Sequence, residues 1–232
     1  MAEPGGVTHY IHGLAAEARP GGTGGTSGLP FVTVSRQAGA GGHAFAETLL
    51  KRMERSGEDP LLRGWRMFDQ QLCEKVANDP ALKVSMKSLL SEEFHGSIED
   101  CLSQLLAATS PQAAVYHKIF ETICTVAALG KAVIVGRAGV CLTRRYPGGI
   151  HIRLIGSKGV RIENMARSMD VSPAEAERHI DKLDGSRAKL VRAYFQRDIH
   201  DPLLYDAVWN TDAVPLERIA AAVIEMIRRP KG

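Results

Sequence analysis

Residues 31–50, FVTVSRQAGAGGHAFAETLL, decide the fold of this chain. Phe31–Val34 alternate apolar and β-branched side chains, a pattern that predicts a buried strand. Small residues follow at 39–42, where no side chain would crowd a neighbouring oxyanion. A helix is predicted next, because apolar side chains recur at i, i+4 and i+8 in Phe45, Leu49 and Met53. Strand, glycine loop and helix in this order present backbone N–H groups and a helix N-terminus to a phosphate.

The same stretch lacks two side chains that phosphate-binding loops usually carry. The P-loop pattern G-x-x-x-x-G-K-[ST] has a lysine that reaches the β- and γ-phosphates and a hydroxyl that holds Mg²⁺. Here Gly42 stands at the lysine position, and His43 and Ala44 come next. We therefore predict a phosphate cradle made of backbone N–H groups, with a tight ligand-free turn as the alternative. The candidate ligands are Gly39, Ala40, Gly41, Gly42 and His43.

Composition narrows the class of protein. The chain has 232 residues, an apolar fraction of 44% and a formal net charge of +3. This length fits one α/β domain, or a core with a small mobile subdomain. The mild charge favours an anionic ligand only weakly and gives no support for nucleic acid as a partner. The four cysteines form no C-x-x-C pair, which indicates buried reduced thiols and no metal site. Neither a membrane span nor a signal peptide is recognisable, so we expect a cytoplasmic protein without a membrane partner.

Strand and helix patterns alternate along most of the chain. Residues 1–30 are rich in Gly, Pro and Thr, and we expect a disordered leader with a short helical segment near residues 9–18. The folded domain is expected over 31–232, with a helical lid at about 158–200. Strands separated by helices imply a three-layer α/β fold, with a parallel sheet between helices on both faces. The predicted strands cover 31–34, 65–69, 132–135, 150–156 and 206–211.

Several loops follow these strands at one edge of the sheet, where ligands bind in open α/β folds. Two of the loops begin with charged side chains, Asp69 and Arg137. Asp69 is expected to cap the helix that follows it. Arg137 follows an apolar strand and could grip a phosphate bidentately, with a salt bridge to a neighbouring acid as the alternative.

A charged helical segment, IDKLDGSRAKLVRAYFQRDIHD, occupies residues 180–201. Asp181, Asp184 and Arg187 are three apart, so they form a ridge along one helical face. Further basic residues follow, among them Arg192 and Arg197. A solvated helix with i,i+3 and i,i+4 ion pairs explains this pattern. Beside a phosphate loop, a hinged helix carrying arginines would instead close over a transferred phosphoryl group and exclude water.

Five segments between residues 31 and 227 carry a resemblance to a known family. They are VTVSRQAGAGGHAFAETLL, FDQQLCEKVA, VIVGRAGVCL, the D-x-x-D-x-x-R spacing that ends at Arg187, and YDAVWNTD. With them the chain resembles the cytidylate kinase-like family, P-loop proteins related to bacterial cytidylate kinase among the nucleoside monophosphate kinases. The resemblance implies a fold of the P-loop kinase type with a helical lid.

The nucleotide-binding residues are implied by the family's loop pattern. That branch of the family commonly has S-R-x-x-G-x-G-G, kept here as Ser35 and Arg36 followed by the glycines, so it also lacks the lysine. The branch usually continues with arginine, where this chain has His43. Arg36 could supply part of the missing charge. Arg161 resembles the arginine in the helix that leads to the lid and joins the nucleotide-binding set.

The resemblance also implies an acceptor site and a catalytic set. Arg137 resembles the arginine that holds the acceptor monophosphate, and Asp69 resembles the acidic residue near it. The implied reaction is transfer of the γ-phosphoryl group from ATP, with Mg²⁺, to a nucleoside monophosphate such as CMP or dCMP. No cytosine-reading pocket is recognisable. Arg187 and Asp184 resemble the lid residues that contact donor and acceptor, and the basic residues Arg192 and Arg197 of the charged segment complete the candidate catalytic set.

Other hypotheses stay open from the sequence. A non-catalytic nucleotide-binding sensor is suggested by the missing lysine and Mg²⁺ hydroxyl, whereas the lid pattern favours a kinase. A kinase for another small phosphate acceptor is the third hypothesis. Helices near 97–129 could form the interface of a homo-oligomer, although core packing explains their apolar faces equally well.

Overall fold

A parallel five-stranded sheet forms the centre of the computed structural model, which describes residues 4–17, 29–90, 98 and 111–229. The strand order is β2-β3-β1-β4-β5, and all four pairings are parallel. The register of β1 with β4 runs from Phe31 opposite Gly149 to Arg36 opposite Leu154. The predicted α/β fold with a parallel sheet is confirmed. The strands are β1 (Phe31–Arg36), β2 (Arg66–Phe68), β3 (Ala132–Val135), β4 (Gly149–Ile155) and β5 (Ala207–Asn210).

Helices cover both faces of the sheet and complete the three layers. Alternate residues of β1 point to opposite faces, so Phe31 joins one apolar cluster and Val32 joins the other. The first cluster packs beneath α1, α3 and α5, and the second beneath α2 and α9. The helices are α1 (Pro4–Glu17), α2 (Gly42–Arg55), α3 (Gln70–Ala77), α4 (Pro80–Lys87), α5 (Pro111–Leu129), α6 (Gly139–Thr143), α7 (Lys158–Met169), α8 (Pro173–Phe195) and α9 (Leu216–Arg228).

The N-terminal segment contains the short helix expected near residues 9–18, and the helix is longer than expected. Helix α1 covers residues 4–17, and its Tyr10 hydroxyl donates a 2.6 Å hydrogen bond to the carbonyl of Gly130. An apolar stripe at i, i+3, i+4 and i+7 buries one face of the helix. That stripe is Val7, Tyr10, Ile11 and Leu14. Residues 18–28 and most of 91–110, where a further amphipathic helix is predicted, lie outside the described residues.

Two consecutive helices form the predicted lid segment. Helix α8 starts with a capping box, in which Ser172 and Glu175 satisfy each other's backbone N–H groups. It then continues unbroken for 23 residues to Phe195. Whether this segment moves as a lid stays a prediction. Of the helices described, none combines the length and apolar character needed to cross a membrane.

Candidate functional site

The glycine loop, residues 37–43, joins β1 to α2. Gly39 and Gly41 have φ angles of 78° and 79°, a left-handed conformation that glycine adopts without a Cβ penalty. Gly41 is also the N-cap of α2 and contributes no side-chain cap. The start of α2 therefore presents N–H groups and the positive end of the helix dipole to an anion.

Helix α7 holds the loop from outside. Arg161 donates from Nη1 to the carbonyl of Ala38 at 3.1 Å and from Nε to the carbonyl of Gly156 at 3.1 Å. Asn164 donates to the carbonyl of Gly39 at 3.1 Å. These bonds fix two loop carbonyls against α7. Arg161 thus acts as a brace for the loop in this structure, and its predicted contact with a nucleotide stays a prediction.

A carboxylate from α8 sits on the glycine loop. Asp184 accepts a 2.8 Å hydrogen bond from the N–H of Ala38. Its other oxygen accepts one from Arg161 at 2.7 Å, and Arg187 lies 3.3 Å from the first oxygen. The structure therefore brings Asp184 and Arg187 to the loop, and Asp184 occupies a backbone donor that would otherwise face a ligand.

Three arginines from three elements line one cavity of about 170 Å³ beside the loop: Arg36 of β1, Arg137 after β3 and Arg187 of α8. Burial, together with repulsion from Arg187 and Arg137, lowers the pKa of Arg36 to about 10. Burial also lowers the pKa of Arg187, against the opposing effect of Asp184. An anion bound between these guanidinium groups would reduce the repulsion among them, so the cavity suits phosphate.

The rest of the cavity is less polar. The lining combines hydroxyl side chains with an apolar wall that comes mostly from α8. This composition suits a ligand with a charged end and a flat or apolar body. The hydroxyl side chains are Thr33, Ser35, Ser186 and Tyr205, and the apolar wall is Tyr116, Leu183, Leu190, Val191 and Ile199.

Arg137 stands on a strained turn. Gly136, Arg137 and Ala138 all have left-handed backbones, with φ angles of 84°, 52° and 55°. For residues other than glycine this conformation costs roughly 1–2 kcal/mol and is found mostly where function requires it. Arg137 pairs with Glu74 at 2.7 Å, as the alternative interpretation expected, while its buried Nε has no hydrogen-bond partner among the described residues.

Asp69 and His43 meet at the other side of the loop. Asp69 caps α3 by accepting a 2.8 Å hydrogen bond from the N–H of Leu72, which confirms that part of its prediction. Its second oxygen lies 3.3 Å from Nε2 of His43. Asp69 is therefore committed to two protein contacts, and its role toward an acceptor stays a prediction.

Two predicted catalytic arginines do not reach the cavity. Arg192 and Arg197 are both exposed and are absent from the cavity lining. Arg192 is five residues beyond Arg187 on one continuous helix, which turns it by about 140° to another face. Arg197 follows the end of α8 at Gln196. Leu190 and Val191 face the cavity instead.

Sequence reasoning missed Arg153, which lies on β4 and is 4% exposed. It donates from Nη1 to the Ser35 hydroxyl at 2.9 Å and to the Tyr205 hydroxyl at 3.3 Å, and Nη2 lies 3.4 Å from Nδ1 of His200. Tyr205 in turn donates to the carbonyl of Ile199 at 2.8 Å. An arginine inside the apolar strand IHIRLI is the signal that was available. Its positive charge adds to that of the cavity from behind Ser35 and Tyr205.

A metal ion bound by the protein alone needs several nitrogen, oxygen or sulfur ligands close together. Within residues 4–17, 29–90, 98 and 111–229, no group of three or more His, Cys, Asp or Glu side chains could hold one. Mg²⁺ in phosphoryl-transfer sites is held by one or two carboxylates, water and the phosphates of the substrate. A Mg²⁺ ion that enters with a nucleotide would therefore not need a preformed cluster of protein ligands.

Comparisons with known proteins agree with this fold. The model of the cytidylate kinase-like family matches residues 31–213. A search of curated protein sequences finds no significant match. A solved structure of an uncharacterized protein from Eubacterium ventriosum ATCC 27560 is similar with a TM-score of 0.66 and 19% identity, over 87% of this chain and 99% of that one. Shikimate kinase from Bacteroides thetaiotaomicron has a TM-score of 0.47 and 13% identity, over 86% and 98%. At these identities the first likeness supports the fold alone.

Proposed function

Because the chain belongs to the cytidylate kinase-like family, which supports kinase-type phosphoryl transfer, we propose that it transfers the γ-phosphoryl group of MgATP to a nucleoside monophosphate. CMP and dCMP are the first acceptors to test. The observation that carries the proposal is the convergence of Arg36, Arg137 and Arg187 on one cavity beside the glycine loop. Two phosphate-bearing substrates would bring the negative charge that this cluster lacks.

The donor would bind along the glycine loop. Backbone N–H groups of Gly39 and of residues 41–43 would hold its β-phosphate at the start of α2, whereas the N–H of Ala40 donates to the carbonyl of Gln37 at 3.2 Å. The N–H of Ala38 would add a further donor if Asp184 released it, since a carboxylate and a phosphate oxygen compete for the same group. Mg²⁺ would be bound mainly by phosphate oxygens and water, because Ala44 offers no hydroxyl.

The acceptor would bind across the cavity. Arg137 would anchor its phosphate, and the unpartnered Nε gives this guanidinium a donor beyond its pair with Glu74. The apolar wall would contact the remainder of the molecule, with the Tyr116 ring as a flat surface for a base.

Transfer would be direct and in line, without a covalent enzyme intermediate. Arg187 would stabilise charge on the equatorial oxygens of the travelling group, because charge stabilisation and positioning are what phosphoryl transfer requires of a protein. Helices α7 and α8 would exclude water from the site and so limit hydrolysis of ATP.

The cavity volume favours a second candidate acceptor. At about 170 Å³ it is smaller than the roughly 300 Å³ at the lower end of common ligand pockets. A small phosphomonoester would therefore need less movement of the surrounding elements than a nucleoside monophosphate. Both acceptor classes belong in the same assay.

The test is ADP formation from MgATP in the presence of each nucleoside monophosphate and of glycerol phosphate. Arg187→Ala should lower kcat far more than it raises KM, because this charge is needed most in the transition state. Arg178→Ala, which removes an exposed arginine of the same helix, is the matched control. ATP binding by calorimetry without acceptor-dependent turnover would support the sensor hypothesis, and absence of both would refute a nucleotide site.

A further inference from the structure

The side chain of Arg36 occupies the space where a P-loop lysine would begin. A Cβ added to Gly42 would lie 2.7 Å from Cγ and 3.1 Å from Cδ of Arg36, closer than side chains normally pack. Gly42 is the first residue of α2 and does not have a positive φ angle. The backbone conformation therefore does not require glycine at position 42. Glycine is needed there because the aliphatic part of the Arg36 side chain fills the space that a Cβ would occupy.

The far end of Arg36 lies against a second glycine, Gly136, whose φ of 84° itself favours glycine. A Cβ on Gly136 would overlap Nη1 of Arg36 and would lie 2.9 Å from its Cζ. The side chain thus runs from the start of α2 to the end of β3, and it ends beside Arg137 and Arg187 at the cavity. Its guanidinium lies where the loop, the acceptor-side arginine and the α8 arginine come together.

The P-loop pattern shows what this position replaces. When G-x-x-x-x-G-K is laid on residues 36–42, its first glycine falls on Arg36, its second on Gly41 and its lysine on Gly42. We propose that Arg36 performs the phosphate-binding role of the absent lysine from the opposite end of the loop, and that the two side chains exclude each other sterically. This inference rests on the proposed binding of ATP at the loop.

The chemistry of the exchange is favourable. A lysine offers a point charge to the β- and γ-phosphates, whereas the planar guanidinium donates two parallel hydrogen bonds to one phosphate. An arginine anchored in β1 also approaches from the side of the acceptor. The same group therefore lies within reach of the oxygens that bridge donor and acceptor in an in-line transfer.

The test is a cycle of variants read by calorimetric binding of MgATP and of tripolyphosphate, a probe without a base. Arg36→Ala should weaken binding about 10- to 100-fold, the loss expected for hydrogen bonds to a charged group. Gly42→Ala should also weaken binding, because its methyl group displaces the arginine. In an Arg36→Ala background the same methyl group should change the affinity less than about twofold.

The decisive variant combines Arg36→Gly with Gly42→Lys and creates the P-loop pattern GQAGAGK. It should bind within about tenfold of the natural chain, whereas Gly42→Lys alone should bind more weakly than either, because both long side chains compete for one space. Thermal unfolding of each variant checks that it folds. Arg52→Ala, on the exposed side of α2, is the control for loss of a surface charge.

Three outcomes would overturn the inference: unchanged binding in Arg36→Ala, an equal effect of Gly42→Ala in both backgrounds, or no binding of either probe by the natural chain. Failure of the proposed kinase function would give a different experimental result. A natural chain that binds MgATP but transfers to no acceptor refutes the kinase proposal, while the binding cycle still decides the role of Arg36.

Discussion

Asp184→Asn is the most informative single substitution, because Asp184 links α8 to the glycine loop through Ala38 and to α7 through Arg161, and pairs with Arg187 of its own helix. The change keeps the shape and an oxygen acceptor for the N–H of Ala38, and it removes the charge that faces Arg161 at 2.7 Å and Arg187 at 3.3 Å. Arg161 is 8% exposed and would keep a buried charge without its carboxylate. We expect the free energy of unfolding to fall by about 2 kcal/mol, between a lost charged hydrogen bond and a broken buried pair.

The assay is urea denaturation together with thermal unfolding. A loss of about 2 kcal/mol corresponds to a fall of roughly 4–8 °C in Tm for a chain of this size. Asp181→Asn is the matched control, since Asp181 lies one turn earlier, is 62% exposed and approaches the exposed Lys158 at 3.5 Å. Its effect should stay within about 0.5 kcal/mol.

Anion binding is a second measurement, and it distinguishes loss of the Asp184 contacts from a general loss of packing. Asp184→Asn should bind tripolyphosphate more tightly than the natural chain, because a negative charge has been removed from the loop, while any turnover falls. Equal destabilisation by Asp184→Asn and Asp181→Asn would refute the reasoning. So would a destabilised Asp184→Asn protein whose anion affinity is unchanged.

Substitutions at Arg153, Tyr10 and Arg36 test other parts of the structure. Arg153→Lys keeps the positive charge, but a lysine cannot contact Ser35, Tyr205 and His200 at the same time as the guanidinium does. Inorganic phosphate should therefore bind about tenfold more weakly, as measured by calorimetry. An unchanged affinity would exclude a positioning role for Arg153. Tyr10→Phe removes the hydrogen bond to Gly130 and should lower the free energy of unfolding by about 1 kcal/mol in urea, whereas no change would mean that α1 adds little through this bond. Arg36→Met should stabilise the ligand-free protein by about 1 kcal/mol at pH 7. The folded-state pKa of Arg36 is about 10, so folding penalises its charged form at every pH below that value. The penalty is relieved as the pH rises through the folded-state pKa. A lower Tm for Arg36→Met without ligand would contradict this last sign.

Local patterns explain why much of the fold was predictable. The strand, loop and helix of residues 31–50 depend on side-chain periodicity and on glycine at fixed offsets, which the sequence displays directly. The capping role of Asp69 is local in the same way. Helix α1 was expected only as a short segment, because the glycine-rich composition of residues 1–30 outweighed its apolar stripe, and its contact with Gly130 was not predictable because that residue is 120 residues away.

The site was predictable in its residue types more than in its geometry. Charge alone suggested Arg192 beside Arg187, but the unbroken phase of α8 turns Arg192 away from the cavity. Arg153 was missed because a buried arginine in an apolar strand gains meaning only from the hydroxyls that other elements bring to it. The path of Arg36 depends on glycines at 42 and 136, positions that meet only in the folded chain.

Because α8 is long and unbroken, a tilt about its C-terminal end would displace the residues near its middle. Its C-terminal end is wedged in an aromatic cluster, where Tyr194 lies 5.5 Å and Phe195 lies 5.6 Å from the Phe120 ring. Asp184 lies ten residues away from this fulcrum, about 15 Å along the helix, so a tilt of about 10° displaces it by about 2.6 Å. That displacement is enough to break its hydrogen bond to Ala38. If α8 moves as the predicted lid, the rate at which the loop is uncovered would depend in part on how firmly Phe120 packs against Tyr194 and Phe195 at the other end of the helix.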